Sequence, residues 1–304
     1  MISSKFDLTL GILALAASAG AQVAPARPRI SSVSHLSVYT SDAAKTEAFY
    51  VHDLGATKRG DPQNPAGVRY YFNPIQFVEV LPLPTPAPEH SRFDHAGYNT
   101  ADAELMRVYL AAHHVEVPRS LTQGSDGSKY FEVKDPEGNR VQFVQPPLHP
   151  ADVPLNPLSS HIIHVGYVVH NPALENSFYK DLLGFRPYWH GGAKEDSADW
   201  ISSQVPDGLD WVEFMVVKPT DAMTLDKAGV LDHFALGMVN AELTMNRLYN
   251  GDRLNNKHSD PKIGRDGKWQ INMYDPDGTR AELMEFRPVA KPCCSPFLAA
   301  SPTR

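Results

Sequence analysis

Ile163-His164-Val165-Gly166-Tyr167-Val168 has the composition of a β-strand, with one histidine among apolar and β-branched neighbours. Period-2 alternation puts His164 on the same face as Gly166 and Val168. Similar segments stand at Val33-Ser34-His35-Leu36-Ser37-Val38, Phe93-Asp94-His95-Ala96-Gly97-Tyr98 and Leu231-Asp232-His233-Phe234-Ala235-Leu236. Four copies of one histidine-bearing strand make this a repeat protein in the first instance.

Each strand is followed by a predicted helix. The first opens near Ser41-Asp42, carries Phe49-Tyr50 and closes at Leu54-Gly55. The third opens at Asn171-Pro172, carries Phe178-Tyr179 and closes at Leu183-Gly184. Asp or Asn as N-cap, Pro in the first turn and Gly past the last are the expected boundary residues. Ala103 to His113 and Ala241 to Asn250 are the helices of the second and fourth units. Units two and four end in matching hairpins, turned by Asp135-Pro136-Glu137-Gly138 and Asp275-Pro276-Asp277-Gly278. Asp-Pro-x-Gly suits a type I turn. Each unit therefore reads β-α-β-β-β, and the fold class is α+β, with four such modules paired into two domains. The Pro-rich, aperiodic stretch Pro146 to Pro157 separates domains at 30–146 and 158–288, and residues 289–304 read as a loose tail.

The N-terminus resembles an export signal. Lys5 precedes the apolar run Leu8 to Ala17, which is too short to span a bilayer, and small residues follow to about residue 21. A secreted or periplasmic location is the expectation. Hydrophobic residues make up 42% and charged residues 21% of the 304 positions, which points to a packed core. The net charge of −7 and the lack of a basic block argue against nucleic acid. No segment suits a membrane span, and self-association into a homo-oligomer is left open. The two cysteines, Cys293 and Cys294, are adjacent in the tail and cannot build a disulfide framework.

His164, Glu213, His233 and Glu282 form the constellation that carries chemistry. Glu213 sits in the apolar strand Trp211-Val212-Glu213-Phe214-Met215, where an unpaired carboxylate is costly to bury. Glu282 lies just past the second Asp-Pro-x-Gly turn. Glu213 follows His164 by 49 positions and Glu282 follows His233 by 49, so a pseudo-twofold would bring all four to one cup. Two imidazoles and two carboxylates suit a divalent ion: Fe, Ni, Zn, Co or Mn. The first half holds a degenerate copy, His35, Glu79, His95 and Gln142, as a candidate second metal site weakened by its neutral Gln. Glu285, on the other strand face from Glu282, is expected in solvent.

The repeat resembles the vicinal oxygen chelate superfamily, the group of glyoxalase I, extradiol dioxygenases and bleomycin resistance proteins. The carriers are the four histidine strands, Phe49-Tyr50-x-x-x-Leu54-Gly55, Phe178-Tyr179-x-x-x-Leu183-Gly184 and the two Asp-Pro-x-Gly turns, over Ser31 to Phe286. The resemblance implies paired modules curled around a metal ion and a small-molecule substrate. Three readings follow. A glyoxalase-like lyase or isomerase would stabilise an enediolate on the metal while Glu213 or Glu282 moves the proton. The presence of both glutamates favours this reading. Extradiol ring cleavage by Fe(II) needs only two His and one Glu, and the two-domain layout suits it. It also calls for a Tyr ten residues ahead of the Glu ligand, where this chain has Asn272. Tyr274 is displaced by two positions, and His258 would serve as an acid only if its loop turned inward. The third reading is a non-catalytic ligand-binding or resistance module. Export argues against glutathione or coenzyme A as co-substrate. Arg69, Arg92, Arg186 and Arg265 are candidate anion-binding residues.

Overall fold

The computed structural model describes residues 25–303. The expected export signal at residues 1–21 lies outside them. Among the described residues no helix is long and apolar enough to cross a membrane.

In the first half, β1 (Ile30–Thr40) leads into helix α1 (Ala43–Glu47). β2 (Thr57–Gly60), β3 (Val68–Asn73), β4 (Gln76–Pro82) and β5 (Phe93–Thr100) follow, then helix α2 (Ala103–Ala112). β6 (Thr122–Gln123), β7 (Lys129–Lys134) and β8 (Arg140–Gln145) complete it. The second half repeats the order. It runs β9 (Ile162–Val169), α3 (Pro172–Asn176), β10 (Arg186–Gly191), β11 (Trp200–Gln204) and β12 (Trp211–Val216). An unanticipated helix α4 (Leu225–Leu231) precedes β13 (His233–Met238) and α5 (Ala241–Asn250). β14 (Lys262–Ile263), β15 (Trp269–Tyr274) and β16 (Arg280–Glu285) close the sheet.

The two eight-stranded sheets have one topology, β2-β3-β4-β1-β5-β8-β7-β6 and β10-β11-β12-β9-β13-β16-β15-β14. Modules therefore pair within each half. In each sheet the two histidine strands run antiparallel at the centre, flanked by the glutamate or glutamine strands in parallel.

The helix caps act as expected, with Asp42, Asp102, Asn171 and Asn240 each accepting a first-turn amide hydrogen. Past α1 and α3 the backbone widens into a π-turn over Ala48–Asp53 and Ser177–Leu182. These turns swing the Phe-Tyr pairs into the junction between the halves. Tyr50 Oη donates to Asp275 at 3.3 Å, and Tyr179 Oη donates to Asp135 at 3.4 Å. Each tyrosine thus reaches the Asp-Pro-x-Gly turn of the other half, where Gly138 and Gly278 adopt φ of +92° and +94°. One continuous core runs through both halves, with Tyr50 near Phe234 and Phe93 stacked on Tyr167. Burying such an aromatic contributes about 1.5–3 kcal/mol.

Two expectations need correction. Residues 289–303 are an ordered strap rather than a loose tail. Val289 and Ala290 N–H donate to Gly267 O, Leu298 N–H donates to Tyr188 O, and Phe297 packs on Tyr188. Within the strap Cys293 and Cys294 form a disulfide with each other, too local to constrain the chain. Glu285 is buried, not solvated. It accepts the Ala241 amide at 2.8 Å at the start of α5, as Gln145 does for Ala103 in α2.

Candidate metal centre

Strand register builds the second-half cup. His233 faces Gly166 across β13 and β9, and Glu213 sits beside Gly166 on the other flank. A Cβ on Gly166 would lie 2.1 Å from His233 Cε1, so the missing side chain is what admits the imidazole. His233 Nδ1–H donates to Leu231 O at 2.7 Å, which turns its Nε2 lone pair into the cup. His164 Nε2 lies 3.0 Å from His233 Nε2. Glu282 Oε2 is 3.5 Å from His164 Nε2 and 3.8 Å from His233 Nε2. Glu213 Oε2 is 3.5 Å from His233 Nε2, and its Oε1 accepts from Ser202 Oγ at 3.2 Å.

His164, His233 and Glu282 offer three donor atoms within 4.8 Å of one another. Glu213 stands beside this triad and is the more open carboxylate, its side chain 12% exposed against 3% for Glu282. Burial, then His233 and the cations Arg280 and Lys268, hold His164 well below the usual imidazole range. A neutral imidazole is the form a metal binds. Burial alone would raise Glu213. Contact with the His233 imidazole, then Arg280 and the Ser202 hydrogen bond, outweigh it and hold the carboxyl below its usual range. Lone pairs converging in a buried space, with no protein cation among them, fit a divalent ion.

The first-half cup brings together His35, Glu79 and His95 in the same way, with His35 Nε2 2.9 Å from His95 Nε2. Here a protein cation is already present. Arg69, 1% exposed, stands opposite Glu79 in the register, where the second half has Ser202 opposite Glu213. Its Nε is 2.9 Å from Asp61, its Nη2 is 3.7 Å from Glu79, and its guanidinium lies 4.1 Å above Phe77. Ser37 Oγ also donates to Glu79 at 2.6 Å. Gln142 Nε2 lies 3.3 Å from His95 Nε2 and donates to Glu132 at 3.2 Å. Burial pushes Glu79 up to about 7.

A pocket of about 320 Å³ opens over the second-half cup, with Glu213, Glu282, Asn272 and Ser202 at its base. Tyr188, Trp189, Trp200, Trp211 and the strap residue Phe297 form its walls, and Arg265, Lys268 and Arg280 reach it. Asn272 faces Glu282 across the hairpin, and its Oδ1 is buried without a partner. Neither Tyr274 nor His258 lines the pocket. His258 is exposed with Nδ1 on Asn255 O, and Tyr274 lies under Lys257. Of the candidate anion-binding arginines only Arg265 reaches this pocket. Arg92 pairs with Asp277, and Arg186 binds backbone carbonyls. Lys268 and Arg280 went unnoticed in the sequence. Aligning Gly264-Arg265-Asp266-Gly267-Lys268 with Gly124-Ser125-Asp126-Gly127-Ser128 would have exposed the first of them.

Residues 32–143 match the profile of the Glyoxalase/Bleomycin resistance protein/Dioxygenase superfamily. The chain carries a domain of this superfamily. The second half repeats that domain strand for strand, so both halves have the vicinal oxygen chelate fold. Solved structures with this fold include homoprotocatechuate 2,3-dioxygenase from Brevibacterium fuscum, with TM-score 0.62 and 16% identity over 86% of this chain and 82% of that chain. A catechol 2,3-dioxygenase gives TM-score 0.62 and 11% identity over 91% and 96%. The 2,3-dioxygenase LapB from Pseudomonas sp. KL28 gives TM-score 0.60 and 16% identity over 88% and 97%. Comparison with curated protein sequences finds no significant match. At these identities the likeness is one of fold.

Proposed function

We propose that the chain is a divalent-metal-dependent enzyme with one working centre, in its second half, and that it performs lyase or isomerase chemistry on a small oxygen-bearing substrate. His164, His233 and Glu282 would hold the ion. An ion there supplies Lewis acidity, drawing charge from a substrate oxygen and acidifying the neighbouring C–H. Glu213 is the proton carrier: it is ionised, it opens to the pocket, and Ser202 fixes its orientation. The observation that carries this reading is the second carboxylate beside a complete triad. In the first half Arg69 supplies the cation internally, and we assign no ion to His35, Glu79, His95 and Gln142.

Extradiol ring cleavage is the second reading, favoured by the two-His, one-Glu triad and the shared fold. Tyr274 and His258, the two residues weighed for the tyrosine and the acid of this chemistry, do not line the pocket. One experiment separates the two. Iron-, nickel- and zinc-loaded protein is incubated with an α-hydroxyketone in D₂O, and C–H exchange is followed by proton NMR. Oxygen uptake with catechol is measured in parallel. The proposal expects exchange that depends on Glu213. Oxygen uptake on the iron form without exchange would establish ring cleavage instead.

A further inference from the structure

Lys268 and Arg280, in the second-half pocket, have no carboxylate partner among the described residues, and the first half shows that this is particular to the pocket. Lys268 is 0% exposed, and its one side-chain hydrogen bond goes to Tyr188 Oη at 3.4 Å. Its ammonium lies among ring faces, 4.6 Å from Trp211, 5.1 Å from Phe297 and 5.6 Å from Tyr188. Asp266, Glu282 and Glu213 attract it, but none comes within ion-pair distance of 4.0 Å. The corresponding first-half residue is Ser128.

Arg280 is the counterpart of Arg140, since each opens the last strand beside the second histidine. Arg140 is fully committed, to both oxygens of Asp94 at 2.7 Å and to Glu132 at 2.6 Å. In the second half Asn272 replaces Glu132, which removes one partner. Asp232 replaces Asp94 but is engaged by Ser91 and the Val168 amide. Arg280 therefore forms no ion pair among the described residues, and its Nε is buried without a hydrogen bond. Burying a cation unpaired is costly, so a site that sets the buried Lys268 and the half-buried, unpaired Arg280 beside a ligand-sized space suits an anion. The flat walls of Trp200, Trp211 and Phe297 suit a ring, and about 320 Å³ accommodates one ring with a short arm.

We propose that this pocket takes a single-ring aromatic carboxylate, its carboxylate held by Lys268 and Arg280 and its ring between the aromatic walls. The inference rests on the reading that the pocket above the second-half cup is the substrate site. Strap residues 289–303 are then part of that site, because Phe297 supplies a wall.

Binding of benzoate, benzamide and acetate tests it, followed by tryptophan fluorescence on the zinc-loaded and chelator-treated protein. Benzoate is expected to bind at least tenfold more tightly than either of the others. Arg280→Gln and Lys268→Met should each abolish the preference for benzoate over benzamide while zinc content stays at the wild-type level. Equal binding of benzoate and benzamide, or a preference that survives both substitutions, would overturn the anion site. Acetate binding as tightly as benzoate would overturn the aromatic part. A chain that binds no zinc yet keeps the preference would sink the metal reading and leave this inference standing. The wild-type ligand comparison decides the matter even if the Lys268 variant fails to fold.

Discussion

Gly166→Ala and Gly97→Ala form a matched pair that separates a working cup from an occupied one. A Cβ at Gly166 would meet His233 Cε1 at 2.1 Å and Nδ1 at 2.6 Å, where ordinary contact begins at 3.4 Å. The ring must retreat by about 1.3 Å (3.4 less 2.1), which breaks the 2.7 Å bond to Leu231 O that aims its Nε2. A Cβ at Gly97 would meet His35 Cε1 at 2.2 Å and Nδ1 at 2.4 Å, so the steric insult is the same. Overpacking costs about 1–3 kcal/mol in each variant, and both should melt at lower temperature by similar amounts. Metal affinity should part them. Losing the group that orients a ligand costs ~10–100-fold, or about 1.4–2.7 kcal/mol, and this should fall on Gly166→Ala alone. Competition titration of zinc against a chromogenic chelator measures it. Wild-type affinity in Gly166→Ala, or an equal loss in Gly97→Ala, would refute the assignment of the ion to the second half.

Further outcomes follow from the same geometry. Arg69→Ser with Gln142→Glu should remove the internal cation, complete the first quartet and raise metal content from one toward two ions per chain by elemental analysis. Glu213→Gln should keep the ion and lower turnover ~10²–10⁴-fold in the exchange assay, as loss of a proton carrier does. Deleting residues 289–304 should lower the melting temperature and weaken ligand binding, because it strips Phe297 from the pocket. His161 gives a pH signature. Burial opposes its charge, but the 2.7 Å bond to Asp210 prevails and raises its pKa above the usual 6.5. That contribution is fully present below the unfolded value and is lost as pH rises through the folded one. Melting temperature should therefore fall more steeply with rising pH above 6.5 in the wild type than in His161→Gln.

Much of the architecture is legible in the sequence because repetition and period-2 patterning are local signals. His164, Glu213, His233 and Glu282 can be grouped from their positions in the repeat and their equal spacing, and the structure brings them to one cup. What the sequence hides is direction and partnership. Arg69 carries no mark that it turns inward beside Glu79; that follows only from its cross-strand position opposite it. Arg140 and Arg280 look alike in the chain, and the difference between them lies in neighbours contributed by other strands, Glu132 against Asn272. The strap is not legible in the sequence because its hydrogen bonds go to Gly267, Tyr188 and other distant backbone groups, which local composition does not register. Glu285 shows the limit of face alternation. The outer face of a strand can lie under a helix, and there a carboxylate caps α5.

The most direct test of the central claim is anomalous diffraction from crystals of the zinc-loaded protein. The account predicts one strong peak per chain, about 2.0–2.2 Å from His164 Nε2, His233 Nε2 and the Glu282 carboxylate, and none in the first-half cup beside Arg69. A peak between His35 and His95, or no peak within reach of His164 and His233, would contradict it.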